Sequence, residues 1–159
     1  MTFLERTTDA RRLRHWEGDM EADYVYTTGL AGERFFTALR DEGRILTARC
    51  PSCEVRYLPP RLYCERCFSE LSDFEDAPAI GRVAAFTVAH VDRRGRALPK
   101  PEAWGLITFS GVEGGLVHRL LLSTEAIRPG ARVRARLRAK GARLGAITDI
   151  EGFEPADSG

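Results

Sequence analysis

Cys50-Pro51-Ser52-Cys53 is followed, after ten residues, by Cys64-Glu65-Arg66-Cys67, and these two knuckles hold all four cysteines of the chain. Two Cys-x-x-Cys knuckles at such spacing can set four thiolates tetrahedrally around one Zn²⁺, with Zn–S bonds of about 2.3 Å. The short x-x step turns backbone amides toward the sulfurs and offsets their charge. Two disulfides are not expected in a reduced cytoplasm, and a redox Cys-x-x-Cys normally stands alone at a helix start. Iron in the same cage would make an electron-transfer site, but nothing else in the sequence marks an electron-transfer partner. The reading is a four-cysteine zinc site at Cys50, Cys53, Cys64 and Cys67. A closed shell of four thiolates leaves no open coordination position, so this zinc is structural. It folds about 25 residues that have little core of their own.

Upstream of the knuckles, residues 31–42 place Phe35, Phe36 and Leu39 on one helical face, and Gly43 supplies the stop. A short strand over 44–49 leads into the first knuckle. Between the knuckles, Tyr57-Leu58-Pro59-Pro60-Arg61 reads as a stiff extended connection, since each proline fixes its own φ and restricts its predecessor. Residues 1–30 are polar and mixed in charge. A short helix around 6–16 fits them, either in a loosely held tail or in a docking arm that buries Trp16, Tyr24 and Tyr26 against a partner.

Downstream comes a run of five strands over 81–92, 104–109, 116–122, 132–140 and 144–150, separated by Gly, Pro and charged turns. The fourth alternates most clearly. Ala131, Val133, Ala135, Leu137 and Ala139 face one way, and Arg132, Arg134, Arg136, Arg138 and Lys140 the other. Between the third and fourth strands, 123–130 sits where an OB-fold carries its helix, here reduced to about a turn. Strand count and order fit a five-stranded OB-fold barrel, and the count alone also fits a small sandwich. The expected fold is mainly β with N-terminal helices: a helical arm over 1–43, a zinc ribbon over 44–78, an OB-fold over 79–155 and a tail over 156–159.

Composition narrows the function. The chain has 159 residues, with 24 Lys and Arg against 23 Asp and Glu, a net charge of +1. That balance argues against a chain built wholly around a polyanion. The exception is 128–143, with seven cations and no acid. No apolar run approaches the roughly 18 residues that cross a bilayer, and no apolar stretch follows the first residues as in a secretory signal. A soluble, cytoplasmic protein without membrane contact is expected. Thiolase-type chemistry needs a nucleophilic cysteine beside a histidine base. All four cysteines are committed to metal, and His15, His90 and His118 are scattered. No Gly-x-Ser-x-Gly, phosphate loop, dinucleotide fingerprint or His-Glu-x-x-His occurs. Independent catalysis is therefore not expected, and no catalytic residue is assigned.

Several segments together resemble a known family. They are Phe35-Phe36 through Gly43-Arg44-Ile45-Leu46, the two knuckles with Pro59-Pro60-Arg61 between them, Gly81-Arg82-Val83 with Phe86-Thr87-Val88, Pro129-Gly130 before Val133, and Gly152-Phe153-Glu154-Pro155. The family is that of small proteins with a rubredoxin-like zinc ribbon and an OB-fold, associated with thiolases and other acyl-CoA enzymes. The likeness covers about residues 31–155. Two departures follow the knuckles: Glu54 stands where the family often has glycine, and Phe68 follows the second knuckle. The resemblance implies a non-catalytic subunit in a hetero-oligomer with a thiolase-like or hydroxymethylglutaryl-CoA-synthase-like enzyme. It also implies CoA or an acyl-CoA as a ligand shared with that enzyme. The loop over 92–101 lies where OB-folds commonly bind ligands, and arginine suits the phosphates of CoA. Arg61, Arg93, Arg94, Arg96 and Lys100 are the candidate contacts to CoA or the partner. The alternative is a module for single-stranded nucleic acid, which would want aromatic platforms among the cations; 128–143 contains none.

Overall fold

The computed structural model describes residues 9, 11, 26–92 and 94–156. The helix expected around 6–16, Arg93 and the last three residues of the tail lie outside the described residues.

Phe35 and Leu39 recur one helical turn apart, and helix α1 (Gly29–Asp41) forms around them, the one helix found in the described part of the N-terminal arm. Its inner face buries Ala31, Phe35, Ala38 and Leu39. Gly43 ends it as expected, at φ +72°, a left-handed conformation that costs glycine little. A side chain there would also strike the Arg143 guanidinium. β1 (Leu46–Arg49), β2 (Arg56–Leu58) and β3 (Asp73–Asp76) then form an antiparallel sheet in the order β3-β1-β2 around the cysteines. The connection between the knuckles bends after Leu58, whose peptide bond to Pro59 is cis, where a fully extended run was expected.

The barrel consists of β4 (Gly81–Val91), β5 (Ala97–Phe109), β7 (Leu116–Leu120), β8 (Arg132–Leu137) and β9 (Ile150–Pro155), with β6 (Val112–Gly114) between β5 and β7. It closes in the order β4-β5-β7-β9-β8, the OB-fold arrangement. Val83, Ile107, Val133 and Phe153 are fully buried inside it, and Phe35, Ala38 and Leu39 of α1 belong to the same core. Burying each such side chain contributes roughly 1.5–3 kcal/mol, so α1 is a structural plug of the barrel as much as an arm.

Strand boundaries differ from expectation by a residue or two at β1 and β7, and by more at three places. β5 begins at Ala97, so the long loop expected over 92–101 shrinks to a turn in which Asp92 accepts the N–H groups of Arg94 (2.8 Å) and Arg96 (2.9 Å). Pro99 and Pro101 are tolerated because β5 pairs with β7 only from Ala103 onward and its register with β4 jumps from Ala97 to Glu102, so no ladder bond is required of either proline. β8 stops at Leu137 and gives way to a 3-10 turn over Lys140–Ala142. The fifth barrel strand is Ile150–Pro155, and 144–149 is a loop that ends in a 3-10 turn over Ile147–Asp149.

Asp149 explains that loop. Its carboxylate is fully buried and accepts the N–H groups of Leu144 (2.9 Å), Gly145 (2.7 Å) and Ala146 (3.2 Å), so amides that could have joined a ladder fold back on one side chain. Burial alone would push this carboxyl up, but those amides hold it below its ordinary value of 3.8. Asp149→Ala leaves three backbone donors without an acceptor and is expected to lower the unfolding free energy by about 2 kcal/mol at pH 7, read by urea denaturation. Because ionisation is favoured in the fold, the contribution is complete above pH 3.8 and fades as pH falls through the lower folded value; wild type and variant should converge there.

Candidate metal centre

The two knuckles are the same turn used twice. In the first, the Cys50 N–H bonds the Val55 carbonyl (2.8 Å) and the Glu54 N–H returns to the Cys50 carbonyl (2.9 Å). In the second, Cys64 and Phe68 repeat this with Ser69 and Cys64, both at 2.9 Å. Glu54 and Phe68, the residues that depart from the family's usual pattern, sit at φ +58° and +60°. These are left-handed conformations that glycine would adopt without cost.

The turns bring the sulfurs of Cys50, Cys53, Cys64 and Cys67 within 4.8 Å of one another, and all four cysteines are free of disulfides. A tetrahedral shell with 2.3 Å bonds spaces its sulfurs about 3.8 Å apart, so the donor set fits Zn²⁺. Among the described residues no other cluster of metal-type ligands forms. The Cys53 N–H points at Cys50 Sγ (3.3 Å), the amide-to-sulfur contact that the short spacing predicts. Cys50 and Cys64 are buried, whereas Cys67 is exposed.

Tyr57 was not singled out in the sequence, yet it completes the site. Its ring is fully buried on β2, and its hydroxyl lies 3.4 Å from Cys64 Sγ. Donation from this hydroxyl pulls the Cys64 thiol down to about 6, favouring the thiolate that a metal binds. Nothing in the sequence separates this tyrosine from any buried strand aromatic.

The ribbon is tied to the barrel through β6, which leaves the barrel after β5 and pairs in parallel with β2 (Arg56↔Val112, Tyr57↔Glu113, Leu58↔Gly114). Gly114 has φ +86°, and a Cβ there would fall on the Leu58 carbonyl oxygen, so this approach needs glycine. Arg66, inside the second knuckle, forms an ion pair with Glu113 of β6.

The candidate CoA contacts do not share one setting. Arg61 forms an ion pair with Glu65 and lies over the Tyr57 ring, 5.0 Å from its centroid, on the ribbon. Arg94 and Arg96 flank the tip of the β4–β5 hairpin, Arg96 pairing with Asp92 at 2.6 Å. Lys100 lines a groove of about 670 Å³ with an apolar floor that includes Val88, Ala103, Leu120 and Leu122. The β8 arginines are largely compensated: Arg134 donates to Glu154 and Arg136 to Glu151, each at 2.9 Å. A basic groove for single-stranded nucleic acid is therefore not what this face offers.

His118 is buried in the barrel against Trp104 and Phe153, with Nε2 3.3 Å from the Ile147 carbonyl. Burial pushes its pKa below the ordinary 6.5 and keeps it neutral. His90 is on exposed β4, and neither histidine joins the cysteine cluster.

Residues 37–75 match the family model of the ChsH2 rubredoxin-like zinc ribbon domain. A solved protein of unknown function from the DUF35 family of Sulfolobus solfataricus is 30% identical, with 67% of this chain and 78% of that chain covered and a TM-score of 0.60. The chain belongs to the DUF35 family. The solved Ltp2-ChsH2(DUF35) aldolase is similar in fold at 23% identity, covering 85% of this chain and 98% of that chain, with a TM-score of 0.58. A search of curated proteins found no match.

In this DUF35 chain Cys50, Cys53, Cys64 and Cys67 would hold the metal through four thiolates, which would order the ribbon and leave no open coordination position. Elemental analysis of the purified protein should give one zinc per chain, and an iron-coloured preparation would contradict the reading. Tyr57→Phe is expected to speed zinc loss to a chelator by about tenfold or more, the usual weight of a residue that orients a ligand. Amide exchange over 46–76 should rise as the metal leaves.

Proposed function

We propose that this chain is a non-catalytic zinc-binding subunit that docks on a thiolase-like or hydroxymethylglutaryl-CoA-synthase-like enzyme and helps shape its CoA or acyl-CoA site. The observation that carries the reading is the edge of β4. After Gly81 and Arg82, which pair with β8, and Val83, which still bonds Ala131 and Gly130, the ladder pairs of β4 from Ala85 to Val91 are with β5 alone. This stretch, Ala84-Ala85-Phe86-Thr87-Val88-Ala89-His90-Val91, contains no Asp, Glu, Lys, Arg or Pro. Natural sheets protect such edges with charge, proline, bulges or a covering element, because open N–H and C=O groups recruit other strands. Here register shifts stand only at the two ends of the stretch, between Val83 and Ala85 and between Ala89 and Val91. Phe86 is 41% exposed and Val91 53%, which adds apolar surface beside the open ladder. A partner covering this edge resolves both features.

Two further observations support the reading. The solved Ltp2-ChsH2(DUF35) aldolase joins a DUF35 chain of similar fold to Ltp2. The groove over β5 and β7, which Val88 of β4 also lines, combines apolar residues with Lys100 and Ser123, a lining that could take a thioester arm with Lys100 toward its phosphates. Arg119 there is paired with Glu102 (3.1 Å), and Glu125 is a second acid. Within it Lys100 is the candidate phosphate contact, with Arg94 and Arg96 at the hairpin tip; Arg61 and Arg93 are the remaining candidates.

Purification of the tagged chain from its native host should bring down an acyl-CoA enzyme, identified by mass spectrometry and by thioester activity in the complex. The paired substitution Thr87→Lys and Ala89→Lys charges the open edge and is expected to weaken that complex at least tenfold, about 1.4 kcal/mol. Zinc content and melting temperature should stay unchanged. Retention of the complex by the charged variant would move the interface elsewhere, and a chain that purifies alone would refute the subunit reading.

A further inference from the structure

We propose that Arg82 and Arg132, with the hydroxyls of Thr108 and Ser110, form a binding site for a phosphate-monoester group on the outer wall of the barrel. The site does not depend on the docking reading.

Along β8 the outward arginines follow one rule until its first residue. Arg136 pairs with Glu151, and Arg134 pairs with Glu154 on β9. Arg132 is on the same face, but among the described residues it has no ion-pair partner, and its cross-strand neighbour on β4 is another arginine, Arg82. Val83 N–H bonds the Ala131 carbonyl one position on (3.0 Å), which makes Arg82 and Arg132 the intervening pair without ladder hydrogen bonds. Side chains stand closest in such a pair, with Cβ atoms about 4.5–5.5 Å apart, and like charges there repel. Among the described residues the next two arginines are compensated by glutamates and this pair is not.

What surrounds the pair is arranged to receive an anion. Arg82 donates one guanidinium N–H to the Gly130 carbonyl (3.2 Å), which fixes its head group while its other donors stay available. The next residue across the sheet is Thr108 of β5, so Arg132, Arg82 and Thr108 form one row over three strands. Ser110 follows in the turn after β5. These side chains, with Ile80 and Phe109, line a depression of about 400 Å³. Two guanidiniums and the Ser110 hydroxyl match the oxygens and double charge of a phosphate monoester, and the Thr108 hydroxyl joins them by leaving its long, 3.5 Å contact to the Arg82 carbonyl. A single carboxylate would neutralise one arginine and leave the other. The site is also remote from Arg94 and Arg96, since the ten residues of strand from Arg82 to Asp92 span roughly 30 Å.

The test uses the full zinc-loaded chain and follows thermal unfolding in sodium chloride and in inorganic phosphate at matched ionic strength and pH. Inorganic phosphate at about 20 mM should raise the melting temperature by roughly 3–5 °C over chloride, as a millimolar ligand of the folded state does. Arg132→Glu places an acid opposite Arg82; it should raise the melting temperature in chloride and abolish the phosphate response. Arg82→Gln should also abolish that response, and Arg136→Gln, one pair along the same strand, should keep it. A nucleoside 3′-monophosphate binding ten times tighter than inorganic phosphate would identify a metabolite-borne monoester as the ligand. Equal affinities would identify phosphate itself, and either result upholds the site. An equal shift in chloride and phosphate, or a phosphate response that survives both Arg132→Glu and Arg82→Gln, overturns it.

Discussion

Four sulfur atoms have to come within 4.8 Å of one another, and the segment that carries them has little else to hold it together. The buried residues around the cage are Ala48, Cys50, Tyr57, Cys64 and Leu71, and two of these five are themselves metal ligands. Such a cluster removes too little apolar surface from water to offset the ordering of about thirty residues, each costing on the order of 1–2 kcal/mol of backbone entropy. Thiolates crowded together also repel. A divalent cation at their centre reverses that sign, so ribbon folding and metal binding are one event.

The consequence extends past the ribbon. β2 is positioned by the first knuckle on one side and by the Tyr57 contact to Cys64 on the other, and it forms the parallel seam with β6. β6 continues the β5 hairpin, so the cage fixes where the barrel's β5–β7 connection runs. Gly114 lets the two backbones meet, and Arg66–Glu113 adds a tie from the second knuckle. Helix α1 reaches the same joint: the Arg34 guanidinium lies 4.8 Å from the Phe74 ring centroid of β3, while Phe35 and Leu39 belong to the barrel core. Ribbon, helix and barrel are thus fastened to each other through the elements closest to the metal.

Local chemistry made part of this legible in the sequence. The cysteine spacing yields the ligand set, the Phe35–Leu39 periodicity with Gly43 yields α1, and the Arg/Val alternation yields β8. The family resemblance, carried by motifs spread over most of the chain, supplied the ribbon-and-barrel order. The misplaced features depend on long-range partners. Ala97–Pro101 looks like loop because two prolines interrupt it, and it stays in the strand because the β4 register jumps from Val91↔Ala97 to Ala89↔Glu102, so neither proline has to donate to a ladder. The run 144–149 looks like strand because Leu144 and Ile147 are apolar, but the buried Asp149 carboxylate takes its amides. The short β6 segment carries no strand signal of its own, and its partner β2 lies more than fifty residues earlier. Tyr57 in the metal site was equally hidden, since a hydroxyl aimed at sulfur leaves no pattern in one dimension.

Charge density proved a poor guide to function in this chain, and its distribution a better one. The seven cations of 128–143 look like a binding surface, but the ladder of β8 against β9 sets Arg134 and Arg136 beside Glu154 and Glu151. Exposed pairs of this kind each contribute about 1 kcal/mol at most. Their larger effect is to fix the register of two outer strands while presenting a nearly neutral wall. Against that background two places stand out: the β4 edge, where charge is missing although an open ladder calls for it, and the Arg82–Arg132 row, where charge is present without compensation among the described residues. Self-contained folds tend to remove both conditions, because the first invites association and the second costs repulsion. Their persistence in one barrel, on the two ends of the same strand, fits a protein whose electrostatics are completed by what binds it.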